Sequence, residues 1–127
     1  MSDAEIETIR RFCDAFARRD PDELLTYFTE DAVYHNMPGP PVQGKAAIRA
    51  VLQRFLGPAQ SVEFVMLGIA ADGNRVFTER LDRFVMGERT VELPVAGVFE
   101  LDGALISAWR DYFDMATWTR QMAAASG

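Results

Sequence analysis

The sequence is poor in the residues that carry redox and metal chemistry, with one cysteine, Cys13, and one histidine, His35. A lone cysteine cannot form an internal disulfide, and a lone histidine cannot build a metal site without several carboxylate or water ligands. No metal or other cofactor is therefore expected. Basic residues are also few, since 13 against 19 acidic residues leave a net charge of −6 without a cluster of Lys or Arg. Nucleic acid is therefore not an expected partner.

Long apolar segments are missing as well. The first residues, "MSDAEIETIRRF", lack the basic head and apolar run of a signal peptide. No apolar stretch approaches the roughly 18 residues that a membrane span needs. These absences predict a cytoplasmic protein without a membrane partner. With 127 residues and 49% hydrophobic content, the chain is expected to form a single domain over residues 1–127 around one core.

Helix signals dominate the first half of the chain. Apolar residues at helical spacing predict a first helix that runs to about Arg18. A second, short helix is expected to begin at Pro21, with Asp20 as its N-cap, and to carry Tyr27 and Phe28. A third is expected at about Lys45–Leu56. The segment "AVYHN" between the last two predicts a brief strand that ends in a proline-rich loop.

Four long β-rich runs follow: "SVEFVMLGIA", "RVFTERLDRFVM", "RTVELPVAGVFEL" and "ALISAWRDYF". The short separators between them predict hairpins and therefore an antiparallel meander. Pro94 and Gly97 indicate a bulge or bend in the third run. Asp114 is expected to cap a last helix. The pattern predicts an α+β fold, in which a curved mixed or antiparallel sheet carries the helices on its concave side.

Charged residues occur where a half-buried strand should be apolar. Arg80 and Asp82 share one strand face and lie about 7 Å apart along the strand. The last strand is expected to turn four residues inward, namely Leu105, Trp109, Asp111 and Phe113. Asp111 would then approach Arg80, whose guanidinium has enough donors for two carboxylates.

Two aspartates on one buried arginine cannot have equal environments. Repulsion and desolvation should raise one pKa while the arginine lowers the other, so that an acid and a base stand side by side. A buried ion network that only fixes strand register is an equally common explanation of such a cluster. The cavity expected on the concave side of the sheet favours a ligand-binding role instead.

The motifs "AVYHNMP", "TERLD", "LPVAGVFEL" and "GALISAWRDYFD" together resemble the limonene-1,2-epoxide hydrolase family, within the cone-shaped folds similar to nuclear transport factor 2 and the SnoaL-like proteins. The resemblance extends from about Phe12 to Trp118. It implies a one-step, metal-free hydrolysis of a small cyclic or terpene-like epoxide to a vicinal diol. It also implies a homodimer.

The resemblance also implies roles for individual residues. Asp111 would be the general base on a water that Tyr34 and Asn36 also hold. Asp82 would be the general acid that protonates the epoxide oxygen, and Arg80 would bridge the two carboxyls. The candidate substrate-binding residues are Trp109, Phe84, Leu93, Val95, Phe113 and Met37.

Three alternatives remain open at this point. The same fold hosts ketosteroid isomerases and polyketide cyclases, which do not need an arginine between two acids. A non-catalytic binding module would not need the five polar residues to converge. A covalent aspartyl mechanism needs an activating histidine, and strand alternation turns His35 away from Tyr34 and Asn36.

Overall fold

The computed structural model describes residues 2–124 of the chain. The helices are α1 (Ser2–Ala15), which continues into a 3₁₀ turn (Phe16–Arg18), α2 (Pro21–Leu25), α3 (Lys45–Leu56) and α4 (Met115–Ala124). The strands are β1 (Phe28–Asn36), β2 (Val42–Gln43), β3 (Ser61–Asp72), β4 (Arg75–Met86), β5 (Arg89–Asp102) and β6 (Leu105–Tyr112).

The strands form one mixed sheet in the order β2-β1-β6-β5-β4-β3. β3 to β6 are the predicted antiparallel meander, and β1 pairs in parallel with β6. α1 packs on β3 and β4, and α4 packs on β5. The predicted α+β fold is therefore confirmed. Among residues 2–124, no helix combines the length and the apolar character needed to cross a membrane.

Aromatic rings form the centre of the core between α1 and the sheet. Phe12 of α1 is fully buried and meets Trp109 of β6 edge to face, with ring centroids 5.1 Å apart. Phe28 and Phe99 contact both of these rings. This cluster anchors the first helix to the strand that carries Asp111.

The predicted second helix is too long. It ends at Leu25, where the Thr26 hydroxyl and amide both donate to the carbonyl of Glu23. Phe28 begins β1 instead, opposite Ile106 of β6. The predicted brief strand is thus the second half of a nine-residue strand. Its parallel partner lies some 80 residues away, and no local signal in the sequence indicates such a pairing.

The expected inward direction of Leu105 is also wrong, because this side chain is 40% exposed. The register between β5 and β6 shifts after Ile106, and Ser107 is the extra residue. An extra residue reverses the alternation of faces. Ile106 therefore points into the core ahead of the bulge, and Trp109 does so after it.

The bulge expected at Pro94 and Gly97 is absent from the pairing of β4 with β5, which keeps one register throughout. Inward and outward residues alternate through both positions. The irregularity lies in β3 instead, at Leu67, which is 61% exposed. Proline is tolerated at position 94 because β6 does not extend to pair with that part of β5.

Candidate active site

Three inward positions lie side by side across the meander. Thr78 of β4 pairs with Gly97 of β5, and Gly97 pairs with Asp111 of β6. Since neighbouring strands lie about 4.8 Å apart, β4 and β6 are separated by roughly 10 Å. Arg80, two residues beyond Thr78, crosses this distance over the side-chain-free Gly97. A β carbon at position 97 would lie 2.7 Å from Asp111 Oδ1 and would be even closer to Arg80 Nη1.

The Arg80 guanidinium is fully buried and uses all five of its N–H donors. Nε and Nη2 donate to the Asp82 carboxylate at 3.0 and 2.8 Å. Nη1 and Nη2 donate to the Asp111 carboxylate at 3.2 and 2.9 Å. The second N–H of Nη1 donates to Thr78 Oγ1 at 3.1 Å. No donor of this arginine is left for a ligand, because all five go to the two carboxyls and Thr78.

The electrostatic environment raises the proton affinity of Asp82. Burial raises the pKa of Asp82 from 3.8 to about 6, and the charge of Asp111 adds to the effect while Arg80 opposes it. Burial acts to lower the pKa of Arg80, but the two carboxylates outweigh burial and hold this pKa well above its ordinary value. Asp82 is therefore a carboxyl that titrates close to neutral pH beside a permanent cation.

Asp111 has one hydrogen-bond donor that Asp82 lacks. The indole Nε1 of Trp109 donates to Asp111 Oδ1 at 2.7 Å, within the same strand. Trp109 in turn stacks on the ring of Tyr34, with centroids 4.1 Å apart and planes 8° apart. Three donors from two side chains thus fix the orientation of the Asp111 carboxylate.

The parallel strand β1 brings two further polar residues to the same place. Tyr34 lies opposite Trp109, and Asn36 lies opposite Asp111. Burial raises the pKa of Tyr34 well above 10, so the phenol stays neutral. His35, between them, points away and lies 2.9 Å from the carbonyl of Gly39 through its Nε2 atom.

A cavity of about 140 Å³ opens beside these groups. Four of its lining residues are polar, namely Tyr34, Asn36, Asp82 and Asp111. The apolar lining residues are Phe55, Phe64, Phe84, Leu93, Val95, Phe113, Met115 and Trp118. Met115 is 46% exposed and so marks where the cavity wall meets the surface. Within residues 2–124, no three His, Cys, Asp or Glu side chains are placed to share a metal ion.

The family model of the limonene-1,2-epoxide hydrolase catalytic domain matches residues 3–124. The chain belongs to this family. Epoxide hydrolase EphG of Mycobacterium tuberculosis is 35% identical over 107 residues, which cover 84% of this chain and 71% of that protein. The solved structure of an LEH-like epoxide hydrolase from M. tuberculosis superposes with a TM-score of 0.83 at 31% identity, covering 98% of this chain and 96% of that one.

More distant structures share the fold alone. BvnE pinacolase from Penicillium brevicompactum has a TM-score of 0.85 at 14% identity, with 98% of both chains covered. A protein from Shewanella putrefaciens that has been assigned to the SnoaL-like polyketide cyclases has a TM-score of 0.83 at 19% identity, covering 94% of this chain and 96% of that one. Membership of the epoxide hydrolase family thus rests on sequence, while the cone-shaped fold is shared more widely.

The structure of this family member brings together the five polar residues singled out from the sequence: Arg80, Asp82, Asp111, Tyr34 and Asn36. Four of the six candidate substrate-binding residues line the cavity, namely Phe84, Leu93, Val95 and Phe113. The other two do not. Trp109 is fully buried behind Tyr34, and Met37 lies outside the cavity lining with 37% of its surface exposed.

Other wall and support residues were not predicted from the sequence. Phe55, Phe64 and Trp118 line the cavity from α3, β3 and α4. Each stands on the apolar face of its element, but that pattern is the same for a core residue and for a cavity wall. Thr78 and Gly97 lie on the inward face beside Arg80, and their role shows only once the strand register is known.

Proposed function

We propose that this protein hydrolyses a small cyclic or terpene-like epoxide to a vicinal diol, in one step and without a metal. Water attacks an epoxide carbon under general base catalysis while a general acid protonates the leaving oxygen. The supporting observation is that one buried arginine holds two carboxyls that both line the same largely apolar cavity. Epoxide opening needs a proton acceptor and a proton donor at once, which two such carboxyls supply.

Asp111 is the base in this proposal. A carboxylate offers about four acceptor positions, and three are occupied by Trp109 and Arg80, which leaves one for the O–H of a water. Tyr34 and Asn36 line the cavity next to it and complete the contacts of that water. Fixing the water before reaction removes part of the entropic barrier.

Asp82 is the acid. Its two oxygens accept from Arg80, and a proton on one of them has the cavity to donate into. As the water oxygen bonds to carbon, the C–O bond of the ring breaks, the proton of Asp82 goes to the ring oxygen, and a water proton goes to Asp111. Turnover is complete when solvent water returns a proton to Asp82 and removes one from Asp111.

The cavity size indicates the class of substrate. A dry apolar cavity of about 150 Å³ is known to hold a benzene ring, and the cavity here is about 140 Å³. A single six-membered ring carrying the epoxide therefore fits inside. Ring substituents of a terpene epoxide would extend towards Met115, where the wall is exposed.

Diol formation in water enriched in oxygen-18, under single-turnover conditions with a chelator present, tests the mechanism. Cyclohexene oxide and limonene oxide are the first substrates. Label in the first-turnover diol is expected, because water attacks carbon directly. Unlabelled diol would mean that a protein oxygen was transferred, and loss of turnover with chelator would contradict the metal-free step.

Matched variants locate the chemistry. Asp82→Asn and Asp111→Asn should each lower the rate of diol formation by about 10²-fold or more while the protein stays folded. Asp102→Asn, at an exposed end of β5, controls for the loss of a carboxylate. Absence of diol from every epoxide with the wild-type protein would overturn the proposal in favour of an isomerase, a cyclase or a binding module.

Pairing of two copies through the outer sheet face remains a prediction. Leu67 and Phe77 project from that face with 61% and 40% of their surfaces exposed. Light scattering of the purified protein at several concentrations measures the oligomeric state, and a mass of one chain at all concentrations would contradict the homodimer.

A further inference from the structure

Thr78 supplies the one acceptor around Arg80 that does not belong to a carboxyl. Its Oγ1 accepts from Nη1 at 3.1 Å, and its hydroxyl has the carbonyl of Gly97 as acceptor at 3.4 Å. The side chain is buried and does not line the cavity. Thr78 therefore lies outside the cavity, and any effect it has on the reaction passes through Arg80.

Nη1 also donates to Asp111, as Nη2 does. It donates one N–H to Asp111 Oδ1 and the other to Thr78, so the two acceptors together fix the position of this end of the guanidinium. Gly97 leaves the space that Nη1 occupies, since a β carbon there would lie 2.9 Å from Thr78 Oγ1 and 2.7 Å from Asp111 Oδ1. This close packing around Nη1 leaves the arginine little freedom to reach another hydrogen-bond acceptor.

We propose that Thr78 is a positioning residue for epoxide opening, which holds the guanidinium of Arg80 where it serves both carboxyls. This inference rests on the proposed function and adds to it a residue outside the cavity. Replacing the hydroxyl with a methyl group would leave one buried N–H of Nη1 without an acceptor. The guanidinium would then withdraw from position 78 and shift towards Asp82 and the cavity.

Thr78→Val is the matched test, since it keeps the shape and removes the hydroxyl. We expect kcat to fall roughly ten- to hundredfold, as displacements of about 1 Å do, with little change in KM. Thr78→Ser should recover most of the lost kcat because it restores the acceptor. Thr90→Val, on the exposed face of β5, controls for the loss of a threonine from a strand.

The pH profile separates positioning from stability. Closer contact with Arg80 lowers the proton affinity of Asp82, so the alkaline limb of kcat/KM should move to lower pH in Thr78→Val and return in Thr78→Ser. The titratable groups that act on Asp82 are Arg80, Asp111, Cys13 and Tyr34. Burial raises the pKa of Cys13 to about 12 and that of Tyr34 well above 10, so neither changes charge between pH 5 and 9.

A measurement without substrate tests the positioning role of Thr78 separately from the proposed hydrolysis. The carboxyl ¹³C resonance of Asp82, in aspartate-labelled protein and assigned by its absence in Asp82→Asn, should titrate at lower pH in Thr78→Val than in wild type. If wild type forms no diol but this titration shifts, the hydrolysis proposal falls, and Thr78 still positions Arg80 between the two carboxyls. An unchanged titration and pH profile in Thr78→Val would overturn the role of Thr78, even if the variant is less stable.

Discussion

The proton of Asp82 should control the rate near neutral pH. With a pKa of about 6, the carboxyl is about half protonated at pH 6, about one tenth at pH 7 and about one hundredth at pH 8. If the protonated form is the acid, kcat/KM should fall about fivefold from pH 6 to pH 7 and about tenfold more by pH 8. Most of the free protein at pH 7 therefore holds Asp82 in its ionised form.

The raised pKa of Asp82 also makes the folded protein less stable as the pH rises. Because the folded pKa of Asp82 is raised from 3.8 to about 6, the folded state binds this proton more tightly than the unfolded state does. The contribution of proton binding at Asp82 to the free energy of unfolding is fully present below pH 3.8 and is lost as the pH rises through 6. Between pH 5 and pH 8 the loss amounts to about 1.4 kcal/mol.

Urea unfolding of wild type and Asp82→Asn at pH 5 and pH 8 measures that loss. The variant also leaves one N–H of Arg80 Nη2 without its acceptor on residue 82, but this cost is nearly the same at both pH values and cancels in the comparison. We expect the stability difference between the two proteins to shift by about 1.4 kcal/mol in favour of the variant at pH 8. The acid role and the raised pKa would be refuted if the stability difference between the two proteins were the same at pH 5 and pH 8 and kcat/KM did not change from pH 6 to pH 8.

Three further predictions concern the groups around Asp111. Asp111→Asn keeps the size of the side chain and removes the base, so kcat should fall by about 10²-fold or more, and activity near wild type in a diol assay would exclude it as the base. Gly97→Ala places a methyl group against Arg80 and Asp111; both activity and melting temperature should drop, and an unchanged melting temperature would show that the network tolerates the displacement. Trp109→Phe keeps the stacking on Tyr34 but removes the N–H to Asp111, so kcat should fall about tenfold with little change in KM, whereas a rise in KM alone would indicate contact with substrate.

Much of the charged network was predictable because it depends on strand alternation. Arg80 and Asp82 are two residues apart on one strand, and short hairpins place the last strand within reach of the arginine. The inward direction of Asp111 followed from that of Trp109 two residues earlier. Local periodicity and short turns are therefore enough to predict contacts between residues that are close along the chain or connected by hairpins.

The rest of the site depends on contacts that periodicity does not encode. The bulge at Ser107 reverses the direction of Leu105, and nothing in "ALISAW" distinguishes a bulged from a regular strand. The parallel pairing that sets Asn36 beside Asp111 joins distant segments without a turn signal. Trp118 and Phe55 reach the cavity from helices whose apolar faces read as ordinary core.

The two carboxyls proposed as acid and base differ in a contact that does not involve Arg80. Arg80 donates two hydrogen bonds to each carboxyl, so the arginine treats them nearly alike. The unequal partner is Trp109, which adds a third donor to Asp111 and none to Asp82. Burial raises the pKa of Asp82 against the opposing effect of the arginine, which suits Asp82 to the proposed role of the acid. A lysine at position 80, with three donors on a single nitrogen, could not serve both carboxyls and Thr78 in this geometry. The planar fork of Arg80 makes the pair possible, and the indole of Trp109 is the contact that distinguishes the proposed base from the proposed acid.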